Sequence, residues 1–290
     1  MTAVPIDLQA RVRLAHAAVQ ALAEQHGIDL LHVKGPALDA SLSRPDRPSS
    51  DADVLVRPAQ VAAFTAHLRA HGWRLVTDFA SGSAFEHAAN YHHAHWGYVD
   101  VHRVFPGITL DPGEAFELLW SERGATLIAH RPCPVPGVLD QALVLCLHAA
   151  RAMGAARAAR DLEAAWYDGD DDRRQVLRGR AHELRADVAL AAALGELDQY
   201  PDDRTTALWR FYSQGGSRID EWVARIKAAP TRRAALGIAV RGLGVNREFA
   251  AMDLGHEPST RELAGIFFGR FGTAFRLLGR RLTARRGRRT

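Results

Sequence analysis

Two aspartates one residue apart, Asp51 and Asp53, stand directly before the apolar run Val54-Leu55-Val56. Alternate residues of a β-strand point to one face. A strand here would carry both carboxylates side by side and anchor itself in a core through the residues that follow. Adjacent carboxylates repel and need a cation between them. Mg²⁺ suits that need, since it takes one or two carboxylates and fills its other octahedral positions with water and phosphate oxygens. A second segment, Tyr98-Val99-Asp100-Val101-His102, offers a third carboxylate flanked by valines. This donor set points to metal-assisted phosphoryl or nucleotidyl transfer.

The elements that would position these groups are legible from periodicity. Residues 8–26 predict an amphipathic helix with Gly27 just past its end. Asp29 to Val33 predicts a strand, Lys34-Gly35 a turn, and Pro36 the first position of a helix running to about Leu42. Ser43 to Ser50 is a polar loop feeding the strand at 51–56, and Pro58 opens a helix that closes at His71-Gly72. Residues 73–79, 85–95 and 98–105 read as strands, with Trp96-Gly97 as a hairpin turn between the last two. Alternation then places Tyr98, Asp100 and His102 on one face and Val99 and Val101 on the other. The order predicts an α+β fold, a mixed sheet covered mainly on one side.

Around Arg131 to Gly137 three prolines and a glycine break the pattern. From Val138 onward, alanine, leucine and arginine recur at helical spacing, with turn signals at Asp168–Asp172 and Tyr200–Asp203. The expected organisation is a catalytic domain over 1–130 and an α-helical domain over 138–290 that ends in a basic tail.

Composition narrows the class. At 290 residues, with 47% hydrophobic and 24% charged side chains, the chain can bury a real core and resembles an ordinary soluble protein. No apolar run nears the roughly 18 residues needed to span a bilayer. The first residues lack the order of a signal peptide, and two cysteines, Cys133 and Cys146, are too few for a disulfide scaffold. A cytoplasmic protein is expected. The net charge of +4 belongs to the tail: residues 270–290 hold eight arginines and no acid, so 29 basic side chains face 33 acidic ones elsewhere. Lys34 and Lys227 are the only lysines.

His32-Val33-Lys34-Gly35-Pro36-Ala37-Leu38, Arg47 leading to Asp51-Ala52-Asp53, and Val99-Asp100-Val101-His102 together resemble the uncharacterised bacterial branch of the nucleotidyltransferase superfamily, which has the DNA polymerase β-like fold. Leu147-His148-Ala149-Ala150-Arg151, with Asp161 downstream, is similar to that branch's histidine-to-aspartate spacing. The likeness covers about residues 28–165. It implies a mixed sheet with flanking helices, followed by helices that form the far wall of a cleft. It also implies that Asp51, Asp53 and Asp100 are catalytic and hold Mg²⁺, two ions in all, with Mn²⁺ an acceptable substitute. Asp100 would serve as general base, and His102 would hydrogen-bond a metal-bound carboxylate. Lys34, Gly35, Arg47, Ser49 and Ser50 would hold the phosphates of an NTP, ATP being the expected one. The acceptor would be a small molecule, a peptide or protein, or an RNA end. Two departures stand out: Gly35 is followed by Pro36, which removes a backbone donor from the turn, and Ser50 stands where the branch has glycine.

Other assignments compete. A degenerate nucleotidyltransferase fold could hold a nucleotide or partner without catalysis, which Gly35-Pro36 favours. His87, His92, His93 and His95 could bind zinc in a hydrolase, but they lack a strong metal signature such as H-E-x-x-H, and a polar strand and hairpin beside the cleft is the favoured reading. His148 and Asp161 could pair across a helical hairpin. Asp168–Asp172 lacks the ligand pattern of an EF-hand and reads as a solvated turn. In the tail, Phe267, Phe268, Phe271, Phe275, Leu278 and Leu282 alternate with arginines. That pattern predicts an amphipathic helix that docks its apolar face on the helical domain or touches an anionic surface.

Overall fold

The computed structural model describes residues 6–44, 48–79, 85–152, 154–243, 256, 258–263 and 265. The chain forms two compact units, residues 1–201 and 202–290.

The first unit begins with helix α1 (Leu8–Gln25), whose cap Asp7 accepts hydrogen bonds from the N–H groups of Gln9 and Ala10. Strand β1 (Leu30–Val33) follows, then a single 3₁₀ turn over Gly35–Ala37. The helix expected to reach Leu42 stops there. Next come β2 (Asp51–Val56), α2 (Val61–Ala70), β3 (Arg74–Thr77), β4 (Ala88–His93) and β5 (Gly97–His102). These five strands form one sheet in the order β1-β2-β5-β4-β3, with β2 and β5 parallel and the other neighbours antiparallel. A mixed sheet was the expectation, and the bounds of β2 coincide with it.

One face of this sheet makes the core. Ala52, Val54, Val56, Val99, Val101, Ala89 and Tyr91 pack against Ala15, Val19, Leu22 and Ala23 of α1 and against Phe64 and Leu68 of α2. Burial of a side chain such as Phe64 contributes about 1.5–3 kcal/mol, so the strand register is strongly specified. A slip of one residue would turn these apolar groups to the other face.

Helix α3 (Pro112–Ser121) carries no expectation from the periodicity reading, yet its signal is present. Asp111 caps the N–H groups of Gly113 and Glu114, Pro112 occupies the first turn, and Phe116 and Leu119 are buried. Strands β6 (Gly124–Ile128) and β7 (Arg131–Val135) form a separate hairpin, where the sequence suggested a break. Helices α4 (Val138–Ala149), α5 (Ala156–Leu162), α6 (Asp171–Glu183) and α7 (Asp187–Leu194) complete the unit. A π-helical turn spans Glu163–Tyr167 between α5 and α6. Buried Arg180 of α6 grips both carboxylate oxygens of Asp140 in α4 at 2.7 and 3.0 Å.

The second unit contains α8 (Thr206–Gln214), α9 (Arg218–Ala228) and α10 (Arg232–Leu243). A capping box between Ser217 and Asp220 starts α9. The aromatic and arginine-rich stretch at 267–290 lies outside the described residues.

Candidate active site

The parallel pairing of β2 with β5 places Asp53 directly beside Asp100, with Asp51 beside Tyr98 and Leu55 beside His102. Cross-strand partners share a face. Asp51, Asp53, Asp100 and His102 therefore share the sheet face opposite the packed core. Next along, Asn90 of β4 pairs with Asp100 and donates its amide N–H to Asp100 Oδ1, while accepting the hydroxyl proton of Thr77 in β3. The four strands from β2 to β3 all contribute to the row.

Asp53 is the hub. Its Oδ1 accepts from Lys34 Nζ at 2.7 Å and from His102 Nε2 at 2.8 Å, and all three side chains are buried. With Nε2–H committed to Asp53, His102 leaves its Nδ1 buried without a hydrogen-bond partner. Burial alone would raise the Asp53 pKa, but the Lys34 charge and the His102 hydrogen bond outweigh it and hold the carboxyl well below its usual range. Burial and then repulsion from Asp53 push Asp51 the other way. Asp100 is pushed up to about 7, first by burial and then by the charges of Asp53 and Asp51.

Lys34 reaches Asp53 because of an unusual backbone. Its φ is 62° and that of Gly35 is 52°, a left-handed conformation that lysine adopts only under constraint. Here the buried ion pair supplies the constraint. Ser49 closes the other side of the turn: a Cβ on Gly35 would lie 2.9 Å from Ser49 Oγ. Ser49 donates its hydroxyl proton to the Asp51 carbonyl, and its backbone is held by the Gln9 amide. Ser50 donates to Asp51 Oδ1 at 3.3 Å. Pro36 denies the turn one N–H. Arg47 lies outside the described residues.

Helical residues of the same unit approach this face. Arg151, just past α4, places Nη1 3.1 Å from His87 Nε2 and its guanidinium over the rings of Phe85 and Phe105. The His87 ring lies 5.2 Å from that of His102. His148 and Asp161 meet at 3.5 Å, pairing α4 with α5. Burial lowers the pKa of His87 to about 2 and of His148 to about 4, with nearby cationic charge adding to both, so both are neutral near pH 7. Sequence reasoning picked out His148 and Asp161 but gave no role to Asn90 or to the Arg151–His87 contact. Their partners depend on strand register and helix docking, which no local motif records.

The remaining candidates disperse. His93 lies against Trp73, Trp96 and His95, and His92 against Tyr98. Among the described residues these histidines form no cluster with converging ligand atoms; Asp53, Asp100 and His102 do, all within 4.8 Å. Asp51 stands beside that group, outside it. Asp168 ties to Arg44, and Asp170 caps α6. A cleft of about 820 Å³ opens beside the glycine turn, walled by Gly35, Pro36, Leu38, Thr126, Val138 and Gln141. None of the three carboxylates lines it.

The donor set fits a hard divalent cation. Burial first, and then repulsion among the three carboxylates, raises Asp51 and Asp100, and a divalent cation would relieve that repulsion. Asp53 and Asp100 would hold such an ion, with Asp51 alongside.

Among solved structures, a lincomycin-bound lincosamide antibiotic adenylyltransferase, LnuA, is 16% identical over 52% of this chain and 94% of its own, with a TM-score of 0.38. The antibiotic-resistance factor ANT(2'')-Ia is 15% identical over 60% of this chain and 92% of its own, at 0.44. An antigenic nucleotidyltransferase-like protein from Paracoccidioides brasiliensis is 15% identical over 65% and 95%, at 0.38. No curated protein matches the chain. The family model described as an uncharacterised nucleotidyltransferase matches residues 8–199, more than half of the sequence and the span that holds every residue of the candidate site. The mixed-sheet α+β fold is the one that the polymerase β-like resemblance implied, and the chain belongs to this family of uncharacterised nucleotidyltransferases.

Proposed function

We propose that the protein transfers a nucleoside monophosphate from a Mg²⁺-bound NTP, ATP being the expected one, to an acceptor hydroxyl or phosphate. Family membership supports nucleotidyl transfer. The observation that carries the mechanism is the register pairing of Asp53 with Asp100 on parallel strands, with Lys34 and His102 both bonded to Asp53 Oδ1.

Divalent ions, two in this reading and replaceable by Mn²⁺, supply charge neutralisation at the attacking and leaving oxygens when bound. The chain's own groups do the rest. Asp51, Asp53 and Asp100 hold the cations. Asp100, beside Asp53 on the same face, takes the proton of an acceptor hydroxyl. The acceptor oxygen then bonds to the α-phosphorus, the bond to the β-phosphate oxygen breaks, and pyrophosphate leaves. Lys34 exchanges its bond to Asp53 for one to a phosphate oxygen, and His102 keeps Asp53 oriented. Gly35 allows close backbone approach, Ser49 abuts the same turn, and Arg47 and Ser50 add phosphate contacts from the segment before β2. Two buried free thiols, Cys133 and Cys146, favour a reducing, cytoplasmic setting.

Pro36 favours a second reading, a non-catalytic module that binds a nucleotide or partner. Labelled NTPs incubated with the protein, Mg²⁺ and a cell lysate separate the two. Metal-dependent transfer of label with pyrophosphate release, lost in Asp53→Asn, supports the transferase. Nucleotide binding with neither metal dependence nor pyrophosphate release overturns it.

A further inference from the structure

We propose that Arg157 binds the polyphosphate of the nucleotide, contributed by a helical segment that is tied to the site at both ends. The assignment rests on the nucleotide-transfer reading and adds a phosphate-binding side chain to it.

The segment from 151 to 168 is anchored twice. At its start, Arg151 contacts His87, His87 lies against His102, and His102 bonds to Asp53. At its end, Asp168 pairs with Arg44, in the loop that leads to Asp51. Between these ties the His148–Asp161 pair holds α5 to α4. Arg157 sits in the first turn of α5, one helical turn before Asp161. Residues four apart share a helix face, so Arg157 lies on the side of α5 that docks toward the site.

The arginine itself is the second observation. It is half-buried, its Nε is buried with no hydrogen-bond partner, and it forms no ion pair among the described residues. A buried donor left unsatisfied costs about 1–3 kcal/mol, more for a charged group. The charge of this one is felt at Asp51. An anionic ligand would satisfy it. Guanidinium matches phosphate oxygens in a bidentate fork. Such a contact would offset the N–H that Pro36 removes from the glycine turn.

Calorimetry on the full chain tests this, titrating the four Mg-NTPs, Mg-tripolyphosphate and Mg-AMP into the parent protein, Arg157→Gln and Arg157→Lys. Arg157→Gln should weaken the preferred NTP and tripolyphosphate on the order of 10- to 100-fold, the loss expected of a charged hydrogen bond. AMP should change far less, Arg157→Lys should recover part of the loss, and the melting temperature should hold or rise. If the parent binds an NTP and Arg157→Gln binds it equally well, the assignment alone is overturned. A lowered melting temperature with unchanged binding also overturns it, marking a structural arginine. If the parent binds neither NTP nor tripolyphosphate, the nucleotide reading falls and takes the assignment with it.

Discussion

Asp53 and Asp100 are neighbours in the sheet and opposites in electrostatics. Asp53 is stabilised as an anion by buried Lys34 and His102, whereas burial and like charge oppose ionisation of Asp100. Their amide substitutions should therefore diverge. Asp53→Asn strands the Lys34 ammonium without its counter-charge, and breaking a buried pair in this way costs about 3–5 kcal/mol. Asp100→Asn removes a repelled charge, so stability at pH 8 should hold or rise, while loss of the proton acceptor lowers kcat about 10²- to 10⁴-fold. Urea unfolding beside a pyrophosphate-release assay reads both. Equal stability losses in the two variants would contradict the assignment of Lys34 to Asp53. At this scale the sequence showed the acids and their shared face, because period-two alternation is local. It could not show that Lys34 would adopt a φ of 62°, or that Asn90 would stand against Asp100, since register and docking set both.

The glycine turn shows how elements hold those residues. Gly27 and Gly35 both have positive φ, but a Cβ at Gly27 meets nothing within 4 Å, whereas at Gly35 it presses on Ser49. Gly27→Ala should cost about 1 kcal/mol from backbone strain alone. Gly35→Ala adds a collision, and Ser49 cannot yield without releasing the Asp51 carbonyl. Its loss should exceed that of Gly27→Ala by at least about 1 kcal/mol, with weakened Mn²⁺ binding measured by EPR. Equal melting temperatures in the two variants would show that Ser49 does not brace the turn. The β6–β7 hairpin explains one misreading. Pro132 and Pro134 are two residues apart, so their missing N–H groups fall on the same edge of β7, and Arg131, Cys133 and Val135 remain to pair with β6. Proline density signalled a break where its spacing permitted a strand.

For the whole molecule, the change to helical texture near residue 138 differs in position from the compact-unit boundary. Helices α4 to α7 lie in the first unit with the sheet, and that unit ends at residue 201, close to the end of the family match at 199. Local composition does not reveal which helices belong to the unit that holds the sheet. A fragment of residues 1–201 should consequently unfold cooperatively and keep nucleotide affinity within about threefold, well under the tenfold that 1.4 kcal/mol represents. A fragment that fails to bind would place a necessary group after residue 201. The same unit should also weaken in acid. His16 is fully buried, with Nδ1 2.8 Å from His32 Nδ1, and Gln20 lies beyond at 2.9 Å from His32 Nε2. Burial lowers the His16 pKa to about 4, against the opposing pull of Asp53 and with Arg13 adding to it, and burial then His16 lower His32 as well. Near pH 7 these imidazoles are neutral in both states. As pH falls below about 6.5 the unfolded chain binds protons that the folded one refuses, so stability declines by up to about 1.4 kcal/mol per pH unit for each such histidine. For His16 the decline levels off below about pH 4. Asp100 opposes part of it, since its raised pKa returns stability as pH drops through 7 toward 4. With His16, His32, His87, His102 and His148 all lowered against three raised carboxylates, Asp51, Asp100 and Asp140, the net sign favours loss. Urea midpoints should fall from pH 7 to pH 5, and His16→Gln should make that slope shallower by about one proton. A flat profile over the interval would mean that the buried histidines accept protons in the folded protein.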